Sequence, residues 1–366
     1  MRKVICILLC VCLFGFLVAC ANGTPAPTPE ATAPEATAPE ATAPEATAPE
    51  ATAPAVPAPA DGNIVIGVSY DTLDHDYWRA NLWALEDEAA IHGVELVVMV
   101  AQGDAVLQNQ QIDSLIARGV DAIICAAIDS VSIMEAVRRS NEAGIPFLFI
   151  DRLLESTAEA TISYGVAADN VVLAEMGNEW IVEQARARGI ERLVVLELMG
   201  SMGDNAALQR SEGFHNIVAR YPDFIEVVAS VPTDWSEERA FAATINALQG
   251  HPDINYIYMH ADLMVPAVIS ALRQNDMLFQ VGEPGHVMLG AVNGDRVALD
   301  AILDGYMDVV MVLPVVDQSR MALRYALELI RGNTLDGFGV LIPGFLVHAG
   351  NFDAAAPEAY GFMEFN

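Results

Sequence analysis

From residue 63 onward the chain repeats one rhythm, a short β-branched run followed by a longer amphipathic segment, and few folds satisfy it. A brief apolar run bounded by turn residues reads as a strand buried on both faces. An amphipathic segment of about 10–15 residues between two such runs reads as the crossover helix of a βαβ unit. Strands are expected at 63–69, 95–100, 122–125, 146–150, 161–166, 192–197, 225–230, 254–259 and 287–291. Helices are expected at 77–92, 104–118, 130–142, 170–188, 205–220, 237–248 and 266–273. Gly93, Gly119, Gly144, Gly189 and Gly250 each follow a helical stretch, where a residue free to adopt positive φ ends it. The rhythm restarts after 161–166, and the span 61–366, about 300 residues, exceeds what a single hydrophobic core usually organises. The expected fold class is therefore α/β, with two doubly wound parallel-sheet lobes joined by a hinge.

The first 60 residues follow other rules. Met1-Arg2-Lys3 forms a short positive region, and the apolar run 4–18 is too short for a membrane span, so the start reads as a signal peptide. The run ends in Leu17-Val18-Ala19-Cys20, which resembles the bacterial lipobox. Segment 1–19 is thus expected to be removed and Cys20 to be acylated, each buried methylene contributing about 0.8 kcal/mol to a lipid anchor in the cell membrane. Cys6, Cys10 and Cys12 fall in the removed segment, and Cys125, in an apolar run, reads as a small buried hydrophobe. Segment 20–60 repeats Glu-Ala-Thr-Ala-Pro and lacks the apolar stripe a core requires, so it reads as a disordered tether. At about 3.1 Å per residue in polyproline II, its roughly 40 residues reach on the order of 100 Å.

Composition excludes several functions. The formal charge is −31 and Lys3 is the only lysine, which argues against nucleic acid as a partner and removes Lys-dependent phosphate loops and Schiff bases. Neither a His-Glu-x-x-His nor a Cys-x-x-Cys pattern occurs, nor a dinucleotide fingerprint, so no metal and no cofactor is expected. In Met199-Gly200-Ser201-Met202-Gly203, methionine occupies the first position of a nucleophile elbow, and no enzyme activity is expected. A helix-turn-helix segment is also missing.

Ligands of open parallel sheets bind outside the carboxyl ends of the strands, and the segments after these strands are polar and aromatic. Their motifs are Ile66-Gly67-Val68-Ser69 followed by Tyr77-Trp78, Gly144-Ile145-Pro146 leading to Asp151-Arg152, and Ala168-Asp169-Asn170. Farther on come Gly200-Ser201-Met202-Gly203-Asp204-Asn205-Ala206, Arg210-Ser211-Glu212-Gly213-Phe214 and Ala261-Asp262. In order and spacing the core resembles the type I periplasmic solute-binding proteins of ABC transporters, near the ribose-, galactose- and xylose-binding group. The resemblance implies two lobes that close by hinge rotation, with 61–166 and 313–344 in the first, 167–312 and 345–366 in the second, and crossings near Val166, Val312 and Phe345. It implies an extracytoplasmic lipoprotein that acts as a monomer and passes a small polar solute, a sugar, to an ABC permease. The alternative is a sensor presenting a nucleoside, polyol or autoinducer-like molecule to a membrane receptor.

The residue types suit such a ligand. Sugar C–H faces stack on aromatic rings, for which Tyr77, Trp78 and Trp235 are candidates. Hydroxyls need donors and acceptors, for which Asp151, Arg152, Asp204, Asn205, Asp262 and Asn293 are candidates, and an Asp-Arg pair suits a vicinal diol. Several positions have two readings: Tyr77 and Trp78 either line the cleft or pack in the core, and Trp235 either lines the cleft or staples the next helix. Asp204 and Asp262 either contact ligand or cap a helix, while His75 and His260 read as solvated loop residues. Against the ribose-type pattern, Ala261 replaces Asn, Leu208 replaces Arg, Val312 replaces Gln and Asn293 replaces Asp, with two extra residues within 70–76. These losses of hydrogen-bonding capacity favour a less hydroxylated ligand than ribose.

Overall fold

A computed structural model describes residues 63–363; the signal segment, Cys20 and the tether lie outside the described residues. The chain runs from Val65–Tyr70 (β1) through Asp76–His92 (α1), Glu95–Val100 (β2), Ala105–Arg118 (α2), Ala122–Cys125 (β3), Ile133–Glu142 (α3) and Phe147–Ile150 (β4) to Tyr164–Ala168 (β5). A second round comprises Asn170–Ala187 (α4), Leu193–Met199 (β6), Asn205–Arg220 (α5), Ile225–Pro232 (β7), Glu237–Gly250 (α6) and Tyr256–Met259 (β8). It continues through Val265–Gln274 (α7), Met288–Asn293 (β9), Arg296–Leu303 (α8) and Val309–Val312 (β10). Val315–Ile330 (α9), Val340–Ile342 (β11) and Phe345–Val347 (β12) follow.

Two sheets result, one per lobe, in the orders β11-β5-β4-β3-β1-β2 and β12-β10-β9-β8-β6-β7. All pairings are parallel except β12 against β10. Each sheet therefore carries the doubly wound order 2-1-3-4-5, whose switch point lies beside its first strand. After β5 the chain leaves the first sheet for the second. It returns through α9 and β11, and passes back into β12.

Local chemistry explains the elements. β3, β4, β8 and β10 are buried along their whole length, as strands covered by helices on both faces must be. Burying each large aliphatic side chain there contributes about 1.5–3 kcal/mol. Asp104 caps α2 by accepting the Val106 and Leu107 N–H groups, and Gly119 ends that helix in the left-handed region. Gly93 ends α1 the same way, while Gly144 and Gly189 take positive φ one residue beyond the caps of α3 and α4.

Three expectations are corrected. Gly250 is the last residue of α6, and His251 is its cap, so no left-handed glycine ends that helix. The helix expected at 130–142 starts at Ile133, because the Asp129 carboxylate accepts the N–H groups of Val131 and Ser132 and holds them in a turn. Beyond residue 291 the structure adds α8, β10, α9, β11 and β12, where the sequence rhythm defines no separate elements.

Candidate solute-binding site

One cavity of about 90 Å³ is lined by residues that follow the carboxyl ends of β1, β4, β6, β7, β8 and β9, so both sheets contribute. The first lobe supplies Asp71, Thr72 and His75 after β1, Tyr77 and Trp78 from the start of α1, and Asp151 and Arg152 after β4. From the second lobe come Asp204, Ala206 and Arg210 after β6, Trp235 after β7, Ala261 and Leu263 after β8, and Asn293 and Asp295 after β9. Three of these sit on backbone that side-chain-bearing residues rarely adopt: Asp151 has φ 71°, Trp235 φ 59° and Asn293 φ 131°. Such strain costs about 1–3 kcal/mol per residue and persists only where surrounding contacts enforce it.

On the first lobe, Arg152 is the centre of the geometry. Its guanidinium donates to the Ala127 carbonyl and reaches across the cleft to Asp204, Nη2 to Oδ2 at 2.7 Å, with its carbon 5.5 Å from the Trp78 ring centre. Nε is buried and has no hydrogen-bond partner among the described residues. Burial alone would lower the Arg152 pKa, but Asp204, Asp151 and Asp71 outweigh it and hold the group charged. Asp151 accepts from the Tyr77 hydroxyl. Its approach to Arg152 is only 3.9 Å, and burial prevails over that attraction, raising the carboxyl above its ordinary range.

On the second lobe, Asp204 uses its two oxygens separately: Oδ1 caps α5 by accepting the Ala206 N–H at 2.9 Å, and Oδ2 takes Arg152. The capping and cleft readings of this residue are therefore compatible. Arg210, one helical turn after Ala206, donates to Asn170 Oδ1 at 2.8 Å, the His260 carbonyl at 2.5 Å and Asn293 Oδ1 at 3.2 Å. Trp235 lies 5.7 Å from the Arg210 guanidinium, and its ring packs on Gly200, where a Cβ would come within 2.1 Å of ring atoms. Only glycine at 200 admits the indole.

Behind this face, His260 is fully buried rather than solvated. Burial pushes its pKa down, so the ring is neutral: Nε2–H donates to Glu197 at 3.0 Å, and Nδ1 accepts the Gly200 N–H at 3.4 Å. Burial would raise Glu197, but hydrogen bonds from His215 and His260 prevail and hold it below the carboxylate range.

Of the nine candidate ligand residues, Tyr77, Trp78, Asp151, Arg152, Asp204, Trp235 and Asn293 line the cavity together. Asn205 does not; it follows Asp204 by about 100° of helical rotation, and its amide donates to the Leu153 carbonyl at 3.1 Å in a neighbouring groove. Asp262 stands behind the cavity, where Oδ2 accepts the N–H groups of Gly294 at 2.7 Å and Asp295 at 2.6 Å. Sequence reasoning missed Asp71, Thr72, His75, Arg210 and Asp295. The i, i+4 relation of Ala206 and Arg210 was the available signal for Arg210. Cys125 is buried, and burial pushes its thiol up to about 12.

Residues 66–334 match the periplasmic binding protein domain family. The chain belongs to that family. This periplasmic binding protein is 30% identical over 239 residues to the ribose import binding protein of Bacillus subtilis, covering 65% of this chain and 72% of that one. A Caulobacter myo-inositol binding protein, solved with myo-inositol bound, is 25% identical with a TM-score of 0.73, covering 83% of this chain and 99% of its own. An ABC transporter solute binding protein from Mycobacterium smegmatis, solved with glycerol, is 26% identical with a TM-score of 0.72, covering 81% and 97%. The periplasmic binding protein is thus a solute-binding protein rather than an enzyme, with an extracytoplasmic place. Among the described residues no helix is long and apolar enough to cross a membrane.

Proposed function

We propose that the protein captures a small hydroxylated solute, a sugar or polyol, between its lobes and delivers it to an ABC permease. The observation that carries this reading is the cavity itself: aromatic faces at Tyr77, Trp78 and Trp235 surround a charged and amide rim at Asp151, Arg152, Asp204 and Asn293, drawn from both lobes. A guanidinium fork and a carboxylate are matched donors and acceptors for neighbouring hydroxyls, and the rings suit C–H faces. The relatives solved with myo-inositol and glycerol support the same chemistry. At about 90 Å³ the cavity is smaller than the roughly 150 Å³ that admits benzene, so a ring-sized solute enters only when the lobes part. Hinge closure then follows from contacts made by both lobes. Moving a two-state equilibrium from mostly open to mostly closed takes about 5.5 kcal/mol, within the roughly 8.2 kcal/mol of a micromolar complex.

The lobes so moved comprise 61–166 with 313–344 and 167–312 with 345–366, and Cys20 carries the lipid that holds the protein at the membrane. Fatty-acid labelling that is lost in Cys20→Ala tests the anchor; equal labelling in both discards it. The solute is tested by a thermal-shift screen of the purified protein against pentoses, hexoses, polyols, nucleosides and amino acids. A bound solute at 100 times its Kd adds about 2.7 kcal/mol and raises Tm by about 5 °C or more. A selective response from sugars or polyols is expected; silence from them with a response from another class contradicts the hydroxylated-solute reading and leaves the family intact.

A further inference from the structure

The cavity holds more acid than its two arginines balance. Arg152 is matched by Asp204, and among the described residues Arg210 hydrogen-bonds only to amide and carbonyl oxygens. Among the described residues Asp71, Asp151 and Asp295 face the same space without an ion pair shorter than 3.9 Å, and Asp262 stands directly behind. Around them the whole chain carries a formal charge of −31, a field that draws cations toward the protein and repels anions.

The decisive feature is a set of unpartnered oxygens beside Asp295. This residue precedes α8, yet its side chain does not cap that helix. It is 6% exposed and lines the cavity, and its Oδ1 has no hydrogen-bond partner among the described residues. Asp262 Oδ1 and the Tyr360 hydroxyl, both on buried residues beside Asp295, likewise have no partner at hydrogen-bond distance among the described residues. Burial above all raises both carboxyls; at Asp262 the charge of Asp295 adds to it while the Asp295 and Gly294 N–H groups oppose it, and at Asp295 the neighbouring Tyr360 and Asp262 side chains oppose it without prevailing. Two adjacent buried carboxyls either share a proton or meet a cation. No group of three or more His, Cys, Asp or Glu side chains suited to a metal ion occurs among the described residues. An ammonium carries one positive charge and N–H donors, so within the cavity it would both offset the paired carboxyls and donate to Asp295 Oδ1.

Resting on the solute-binding reading above, we propose that the solute bears a protonated amine among its hydroxyls, and that Asp295, backed by Asp262 and Tyr360, receives it. Arg152, Asn293 and the aromatic rings then hold the hydroxylated remainder, so the ligand class is an amino-polyol or amino sugar. Hydroxyls alone offer one donor each and leave the paired carboxyls without a counter-charge.

Matched pairs of probes that differ by one amine decide the point: 2-amino-1,3-propanediol against glycerol, 2-amino-2-deoxyglucose against glucose, 2-amino-2-deoxygalactose against galactose, and an aminoinositol against myo-inositol. Calorimetric titration at pH 7 of the purified protein should show at least one amine binding tenfold or more tighter than its hydroxyl counterpart, and Asp295→Asn should bring that ratio near one. Should Asp295→Asn fail to fold, the wild-type preference is followed as pH rises past the amine's own pKa, where it should vanish. A neutral member that binds as well as its amine overturns the amine proposal and leaves the hydroxylated-solute reading standing. Binding by neither member of any pair overturns the amine proposal, and silence from every sugar and polyol in the thermal-shift screen overturns the reading it rests on.

Discussion

The two walls of the cavity commit their polar groups differently. On the first lobe Arg152 reaches Asp204 on the opposite wall, and its Nε has no partner among the described residues. On the second lobe Arg210 is locked to Asn170, Asn293 and the His260 carbonyl, with the Glu197–His260 pair buried behind it. On the proposed reading, the first wall is the one that changes partners when a solute arrives. The second is a scaffold that holds Trp235 and Asn293 in strained positions. The largest loss of stability should therefore come from Arg210 on the second wall, and the largest loss of affinity from Arg152 on the first.

The sharpest way to break this contrast is Arg210→Met. Removing the guanidinium leaves three buried acceptors without their donor, and hydrogen bonds to charged groups contribute about 1.5–3 kcal/mol each before non-additivity. Urea denaturation should show a loss of about 3 kcal/mol or more, and an unchanged midpoint would mean that the second wall is not a scaffold. Gly200→Ala comes next. The added methyl displaces the Trp235 ring, a strain of about 1–3 kcal/mol, and affinity for the solute should fall at least tenfold in calorimetry. Retained affinity would show that Trp235 is not part of the grip.

Asp295→Asn should have the opposite sign on stability. The Asp295 pKa is raised in the fold, so its ionised form subtracts stability at pH values above its unfolded value, about 3.9, increasingly until the pH passes the folded pKa. Asparagine removes that penalty. The variant should be more stable than wild type at pH 7 by on the order of 1 kcal/mol, with the gap closing as pH falls toward about 3.9. Thermal unfolding across this range checks it; a destabilised variant at pH 7 would show that the carboxylate is better solvated than its burial implies. Asn205→Ala, in the groove beside the cavity, is the smallest case. Losing one partly buried hydrogen bond to Leu153 should change solute affinity by less than about threefold, and a larger loss in calorimetry would extend the site into that groove.

The repeating architecture was legible because parallel strands covered on both sides are continuous apolar runs: β2 and β3 occupy the expected 95–100 and 122–125. The last third was less so, since β11 and β12 are three residues each and carry no pattern of their own. The carboxyl-end rule led to Asp151, Arg152 and Trp235 through chain order alone. What it cannot supply is side-chain direction within a helix start, which separates Asp204 from Asn205 and brings Arg210 in from a turn and a half later. Nor can it supply contacts between distant loops. Asp262 serves the backbone of Gly294 and Asp295, and Asp295 turns away from the helix it precedes; both follow from packing between loops some 30 residues apart.

Titration of the solute identified by thermal shift into wild-type protein and Arg152→Ala, with folding of both verified by circular dichroism, tests the central claim most directly. If the solute is gripped between the lobes through Arg152 of the first wall, affinity falls at least 100-fold, about 2.7 kcal/mol, in the variant. Equal affinity within threefold would contradict the account and move the binding site elsewhere.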